Sequence, residues 1–235
     1  MLQVCLNGGR GPGDAAGVPV SPVAMAEAAA AAVAAGADEV HVRPRTPCGS
    51  GTLSPRVLAE TLTAIRAAVS VPVGVTTDAR SEPDPVRRLA RVRSWTVLPD
   101  HAAVHWHEPG AEALASALLD RGVAVEAVLR ADSDGPARFL RSPLAGYVPR
   151  LRVEAASAGE AHALLAALAR SPHACARPVL LHGRDAAAWP LLRLARRLGL
   201  SARIGLADTL LLPDGSPAGD NARLVAAALA TTVAA

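Results

Sequence analysis

The sequence predicts a single-domain α/β protein, a closed (β/α)8 barrel of the TIM type that spans residues 1–235. Short apolar segments alternate with longer helical segments along the whole chain, which is typical of parallel βαβ units. Eight such units fit into 235 residues, a usual length for one barrel. No break in composition marks a second domain.

The predicted strands are short segments rich in valine, leucine and alanine, bounded by glycine, proline or polar residues. In chain order they occupy residues 2–7, 39–45, 72–77, 102–107, 124–129, 151–155, 179–182 and 202–206. An open sheet would favour a glycine-rich phosphate loop that leads directly into a helix. The glycine-rich segment 7–13 leads into a long proline-containing loop, so the nucleotide signal is weak and the closed barrel is favoured.

The predicted helices carry start and stop signals at several of their ends. In chain order they occupy residues 21–36, 54–70, 84–95, 111–121, 136–141, 158–169, 186–198 and 221–234. Ser21 and Ser54 are each followed by proline, which suits the first position of a helix. Gly36, Gly122 and Gly199 end three of the helices. The fifth helix is the shortest and has the poorest pattern.

The amino-acid composition restricts the kind of core and the classes of function that this chain can have. Apolar residues make up 51% of the chain but aromatic residues only 2%, so the core must be aliphatic. The net charge of +3 is mild, and the scattered arginines lack interleaved aromatic residues, which argues against a nucleic-acid partner. All 24 basic residues of the Lys and Arg class are arginine. Catalysis through a lysine Schiff base is therefore excluded.

The cysteines and the N-terminus bear on the cellular setting. Cys5, Cys48 and Cys175 are widely spaced and form neither a disulfide nor a metal-ligand pattern. The N-terminus lacks the charged start of a signal peptide, and no apolar run approaches the ~20 residues of a membrane span. We therefore expect a cytoplasmic protein without a membrane partner.

The most informative segment is residues 39–45, in which Glu39, His41 and Arg43 alternate with apolar residues and so share one face of a strand. Active sites of such barrels form at the carboxyl ends of the strands, so we collect the polar residues expected there. They are Asn7, Arg10, Glu39, His41, Arg43, Arg45, Thr76, Thr77, Asp78, His105, His107, Glu108, Glu126, Arg130, Glu154, His182, Arg203 and Asp208. Four arginines of this set are expected at the mouth of the barrel and favour an anionic substrate. They are Arg10, Arg43, Arg45 and Arg203.

Motifs along nearly the whole chain resemble the β-keto acid cleavage enzyme family, typified by the 3-keto-5-aminohexanoate cleavage protein. The matching motifs are LNG at 6–8, VPVSP at 18–22, AGA at 35–37, HVRPR at 41–45, VPVGVTT at 71–77, LPD at 98–100, WHEPG at 106–110, GVAVEA at 122–127, LLHG at 180–183, RIGLADT at 203–209, LPDG at 212–215 and DN at 220–221.

The resemblance implies a zinc-dependent enzyme of amino acid catabolism, in which a small anionic β-keto acid condenses with acetyl-CoA as co-substrate. The products are acetoacetate and a new acyl-CoA. It also suggests a homo-oligomer. Two histidines of a His-x-His pattern on strand two and a glutamate on strand eight hold the metal, which acts as a Lewis acid on the keto oxygen.

This sequence departs from the family pattern at those ligands. Ala207 stands where the strand-eight glutamate is expected. Strand two allows two registers. In the one that keeps the following proline and arginine aligned, His41 is the first ligand and Arg43 replaces the second; in the other, Glu39 replaces the first histidine. At most two metal ligands remain, and an arginine there would repel a divalent ion.

The other roles are implied by the resemblance. Arg203 and Asp208 orient the substrate and handle a proton, and Glu126 is a third catalytic residue. Thr76 keeps the hydroxyl of a substrate-binding serine, and His105 replaces an asparagine. The full set of expected substrate-binding residues is Asn7, Arg10, Arg43, Arg45, Thr76, His105, His107 and His182.

Structural alternatives stay open for several of these residues. Arg203 and Asp208 could form only a barrel ion pair, Glu126 could pair with Arg152 or Arg130, and His182 could be a core histidine bonded to backbone. Three hypotheses follow. The chain is an active enzyme with a rearranged metal site, a metal-free enzyme in which an arginine replaces the metal, or a degenerate relative that binds small carboxylates or a partner without catalysis.

Overall fold

The computed structural model describes residues 1–231 and confirms the predicted closed barrel of eight parallel strands. The strands are β1 Leu2–Cys5, β2 Glu39–Val42, β3 Val73–Thr76, β4 His101–His105, β5 Ala124–Arg130, β6 Arg150–Glu154, β7 Val179–His182 and β8 Ser201–Ile204. Each strand pairs with the next along the chain, and β8 closes the barrel on β1. Because β2 ends at Val42, Arg43 and Arg45 lie in the loop that follows it.

A helix follows every strand. The helices are α1 Pro22–Ala34, α2 Pro55–Ala68, α3 Pro85–Arg93, α4 Ala111–Leu119, α5 Gly135–Arg141, α6 Ala158–Ala169, α7 Ala188–Arg197 and α8 Asn221–Ala230. The hydroxyl of Ser21 caps α1 by accepting the N–H of Ala24 at 3.1 Å. Ser54 makes no such bond, so the proline at the first position opens α2 without a side-chain cap. Positions 232–234 of the predicted last helix lie outside the described residues.

The apolar core lies between the strands and the surrounding helices and is mainly aliphatic, as the composition predicts. Its few aromatic residues are fully or almost fully buried. Trp106 and Phe139 meet edge to face with 5.0 Å between their ring centroids, which joins the end of β4 to α5. No helix within residues 1–231 is long and apolar enough to span a membrane.

The inside of the barrel is polar. Where barrels commonly hold layers of branched aliphatic residues, this one buries glutamine, histidine, glutamate and arginine. Gly74 makes room for one of these polar side chains, His101. A Cβ at Gly74 would lie 1.8 Å from the His101 Nε2, so only glycine at that position of β3 admits the imidazole.

The lower half of the interior, near the amino ends of the strands, holds a network of paired charges. Arg150 donates two hydrogen bonds to Glu39, at 2.7 and 2.8 Å, and its Nη2 lies 2.6 Å from Glu126. The Nη1 of Arg152 lies 2.9 Å from the same Glu126. His101 Nε2 lies 2.8 Å from Glu39. Since each carboxylate faces at least one arginine, the cost of burying charge is offset within the network.

This network corrects two expected positions. Glu39 is the first residue of β2 and Glu126 the third of β5, so neither lies at the carboxyl ends of the strands where both were expected. Alternation puts Glu39 on the same face as His41, but two residues along a strand separate their depths by about 7 Å. The structural alternative of a Glu126–Arg152 pair is found, whereas Arg130 pairs with Asp132.

The network predicts a loss of stability in acid that depends on Glu39. Burial would raise the pKa of Glu39, but the hydrogen bonds from Arg150 and His101 outweigh it and lower the pKa to about 2. The stabilisation is therefore complete above its ordinary pKa near 4.5 and is lost as the pH falls towards about 2. Glu39→Gln should lower the melting temperature at pH 7 and show a smaller further drop on acidification, measured by circular dichroism. Glu60→Gln, which removes an exposed partner of Arg56, is the matched control. An acid response of Glu39→Gln identical to that of the unmodified chain would contradict this interpretation.

Candidate active site

A small cavity of about 20 Å³, here called the mouth cavity, opens at the carboxyl ends of the strands. It is lined by Cys5, Gly8, Gly9, His41, Arg43, Thr76, Asp78, His105, Arg152, Arg184, Arg203 and Ala207. A larger cavity of about 460 Å³ opens at the opposite, amino-terminal end, and its exposed lining is mostly apolar. The titratable groups with unmet hydrogen-bonding capacity cluster at the mouth, so we place the candidate site there.

Arg203 and Asp208 form a buried ion pair at this cavity. The Arg203 Nη2 donates to Asp208 Oδ1 at 2.7 Å, and Nε lies 3.2 and 3.1 Å from the two carboxylate oxygens. Burial would raise the pKa of Asp208, but the charge of Arg203 holds it well below its usual range. Asp208 therefore stays ionised at neutral pH and fixes the guanidinium of Arg203 against the cavity wall.

His182 is fully buried between two carboxylates. Its Nδ1 lies 3.5 Å from Asp208 Oδ1, and its Nε2 lies 3.6 Å from Glu154 Oε2. Burial and the nearby charge of Arg203 lower the pKa of His182, so the ring is neutral at pH 7. Neither ring nitrogen makes an aligned hydrogen bond within the described residues, so the alternative of a core histidine bonded to backbone is not found.

Arg152 is a buried guanidinium with unused donors. Its side chain is 2% exposed, and it lies in β6 with the cavity on one side and Glu126 on the other. Nη1 is 2.9 Å from Glu126 Oε1, yet neither atom makes an aligned hydrogen bond, and Nε has no acceptor. Burial and the charge of Arg203 lower the pKa of Arg152. A small anion in the cavity would meet donors that the protein itself does not satisfy.

Arg43 is engaged by Asp78. Its Nη1 and Nη2 donate to the two carboxylate oxygens at 2.6 and 2.5 Å, and Nη1 also donates to Ser81 at 2.7 Å. Burial would raise the pKa of Asp78, but Arg43 lowers it to about 2. The bidentate pair neutralises the charge of Arg43, which leaves only its Nε without a partner.

His41 lies on the same cavity wall and is 2% exposed. Its Nδ1 has no hydrogen-bond partner. Burial, followed by the charges of Arg152 and Arg203, holds the pKa of His41 well below its ordinary value. The ring is therefore neutral at physiological pH and can accept a proton or a hydrogen bond from a bound molecule.

The loops over the cavity use three of the expected substrate-binding residues for their own structure. Asn7 bonds the backbone of Arg43 in both directions, at 2.9 and 3.0 Å, and also the carbonyl of Pro19. Arg45 donates to the carbonyls of the loops on either side, including Gly49 at 2.7 Å. Arg10 pairs with Asp185 across the mouth. These contacts close the roof and explain the small cavity.

The residues at the metal position that the resemblance implies do not fit a metal. Arg43 is charged and bonded to Asp78, and Ala207 offers no ligand atom. The Ala207 Cβ would lie 2.7 Å from a Cβ at Gly8, so the loop packs directly on the alanine. Within residues 1–231, one group brings three potential ligand atoms within 4.8 Å of one another, and it lies elsewhere, at His105, His107 and Glu108.

Six of the residues expected in the mouth by sequence do line the cavity, namely His41, Arg43, Thr76, Asp78, His105 and Arg203. Arg152 and Arg184 also line it and were not among the proposed site residues. The signal for Arg152 was present, because Arg150, Arg152 and Glu154 alternate along β6 as Glu39 and His41 do along β2. His107 does not line the cavity.

Comparisons with known proteins agree on the family. A family model described as "beta-keto acid cleavage enzyme" matches residues 1–126 and 147–234. No curated protein matches the sequence at a significant level.

Solved structures support the barrel. A binary complex of ObcA with oxaloacetate is 15% identical, with a TM-score of 0.64 over 91% of this chain and 63% of the ObcA chain. A ternary complex of ObcA with a C4-CoA adduct and oxalate is 14% identical, with the same TM-score and coverage. N-acetylmannosamine-6-phosphate 2-epimerase from Clostridium perfringens is 17% identical, with a TM-score of 0.57 over 88% of this chain and 87% of its own. These identities show the fold alone, and the chain spans less than two thirds of ObcA.

The Arg43–Asp78 pair predicts a large loss of stability when one partner is removed. Asp78→Asn leaves a buried guanidinium without its counter-charge, which should lower the free energy of unfolding by about 3–5 kcal/mol in urea denaturation. The matched control is Asp132→Asn, because Asp132 pairs with Arg130 in an exposed position and should change the free energy by less than about 1 kcal/mol. Equal, small losses in both variants would show that the Arg43 pair is not stabilising.

Proposed function

Because this chain belongs to the β-keto acid cleavage enzyme family, we propose that it cleaves a carbon–carbon bond of a small β-keto acid in the mouth cavity. The finer proposal is that acetyl-CoA is the co-substrate and that acetoacetate and a new acyl-CoA are the products. The ObcA complexes, with oxaloacetate in one and a C4-CoA adduct and oxalate in the other, are consistent with small carboxylates and CoA as partners.

The observation that carries this proposal is the pair of buried arginines, Arg152 and Arg203, at one small cavity. Arg203 is oriented by Asp208, and Arg152 keeps donors without acceptors. A carboxylate is the natural partner for such donors because each N–H to O⁻ bond is charge-assisted and short. A keto oxygen that gains negative charge during cleavage would be stabilised by the same donors.

We assign proton transfer to His41. It is neutral, buried and unpartnered at Nδ1, and it faces the cavity. Asp208 does not line the cavity, and both of its carboxylate oxygens accept from Arg203. We therefore assign Asp208 to the orientation of Arg203 and to the contact with His182.

A metal at the position known from the family has no part in this mechanism. The family is metal-dependent in general, but Arg43 and Ala207 stand at two of the three ligand positions that the resemblance implies in the preferred register. We assign Arg43, held by Asp78, to the wall of the cavity, and we propose that Thr76 and His105 contact the substrate.

Entry of substrate requires movement of the roof. A cavity of about 20 Å³ holds roughly one water molecule, so a keto acid cannot enter the closed form. The exposed Arg10–Asp185 pair joins the β1–α1 and β7–α7 loops. Asp185 has a φ of 50°, a strained value for a residue other than glycine, which is consistent with a latch that opens.

A second candidate function is carboxylate binding without turnover. It is favoured by Ala207 and by the commitment of Arg43 to Asp78, which remove the family's metal position. Such a protein would be stabilised by small β-keto acids in a thermal unfolding assay without forming free acetoacetate.

A turnover assay tests the enzymatic proposal. A panel of β-keto acids with acetyl-CoA should release acetoacetate, detected by chromatography and mass spectrometry. Arg203→Lys, which keeps the charge but loses the bidentate geometry, should lower kcat/KM by about 100-fold or more. Arg197→Lys on the exposed face of α7 is the control and should not change the rate. Ligand-dependent stabilisation without any turnover would favour the second candidate, and neither response would refute both.

A further inference from the structure

Two histidines at the end of β4 take part in none of the ion pairs that organise the barrel. His105 ends the strand, Trp106 points into the apolar core, and His107 follows in the turn. The two imidazole rings lie edge to face with centroids 5.6 Å apart. His105 is 7% exposed and makes no hydrogen bond through its ring, although it lines the mouth cavity. The buried Nδ1 of His107 also lacks a partner.

Glu108 brings a carboxylate to the same place. One ligand atom from each of His105, His107 and Glu108 lies within 4.8 Å of the other two. The carboxylate of Glu108 accepts the N–H of Ala79 at 2.9 and 3.1 Å and pairs with Arg88. Oε2 accepts from both Ala79 and Arg88, whereas Oε1 accepts only a share of the Ala79 N–H and keeps a lone pair. Such outer contacts commonly hold a metal-binding carboxylate in place.

Contacts from α5 hold the backbone of the turn that contains His107 and Glu108. Arg138 of α5 donates to the carbonyl of His107 at 3.0 Å and to that of Glu108 at 3.3 Å. A Cβ at Gly135 would lie 3.0 Å from the backbone nitrogen of His107, so α5 packs closely against the turn. The three side chains are therefore presented by a rigid segment, as a specific ligand site requires.

We propose that His105, His107 and Glu108 form a binding site for a divalent transition-metal ion of the zinc type. Two imidazoles and one carboxylate are a donor set that zinc accepts, and three protein ligands leave a coordination position open. His105 also lines the mouth cavity, where the anion is proposed to bind. The site differs from the family position at His41, Arg43 and Ala207, and it does not depend on the proposed activity.

Calorimetric titration of the untagged, metal-depleted chain with Zn²⁺ tests this site directly. We expect close to one ion per chain, with His105→Ala and His107→Gln each weakening binding by at least about tenfold. His162→Gln removes an exposed histidine of α6 and is the matched control for binding to surface imidazoles. His41→Ala removes the ligand of the family position. Both of these variants should bind Zn²⁺ as the unmodified chain does.

A spectrum of the Co²⁺-loaded unmodified chain gives a readout that requires no variant. It should show the d–d bands of nitrogen and oxygen ligands and no thiolate charge-transfer band. Absence of Zn²⁺ binding would overturn the proposal. So would a thiolate band, a loss of binding in His41→Ala or His162→Gln, or unchanged binding in the His105 and His107 variants. Melting temperatures establish that each variant is folded. Because Zn²⁺ binding and the Co²⁺ spectrum do not measure turnover, a negative result in them refutes the metal site and not the proposed function.

Discussion

Charge can be buried inside this barrel only because each interior arginine lies against a carboxylate. The pairs are Arg43–Asp78, Arg150–Glu39, Arg152–Glu126, Arg184–Glu154 and Arg203–Asp208. They come from six of the eight strands or from the loops that follow them, so they also tie together parts of the chain that are far apart in sequence. Loss of one partner would leave its mate desolvated and unpaired, which costs far more than an exposed ion pair contributes.

The same pairing determines what chemistry the mouth can perform. The resemblance implies that Arg43 replaces a metal ligand, and in the structure Asp78 takes up its charge and both of its terminal nitrogens. Arg152 keeps two donor nitrogens without an aligned acceptor, and His41 brings a neutral ring with an unpartnered Nδ1 to the same cavity. A cavity with unmet cationic donors and a neutral base suits a small anion more than any neutral ligand.

Much of this arrangement could be predicted from the sequence, and the limits have physical causes. Alternation of short apolar segments with helices identified the barrel, and polar residues at strand ends identified His41 and Arg203. Alternation gives the face of a strand but not the depth of a residue. Glu39 and Glu126 therefore face inward as expected but lie in the lower network rather than at the mouth.

Loop residues were harder to assign. Asn7 and Arg45 have side chains suited to a substrate, yet the structure uses them on backbone carbonyls and amides of the roof. Such roles depend on how loops from different strands meet, which no local pattern records. Arg152 was not predicted as a site residue for a related reason. A pairing with Glu126 accounts for its charge, and only the structure shows that some of its donors lack acceptors.

A small carboxylate bound at the mouth between Arg152 and Arg203 is central to the proposed function. A crystal structure of the chain with oxaloacetate or acetoacetate tests it most directly. We predict carboxylate oxygens within hydrogen-bond distance of both guanidinium groups, with the Arg10–Asp185 contact opened or reformed over the ligand. A carboxylate bound instead in the cavity at the amino-terminal end, against Arg150, would contradict the account.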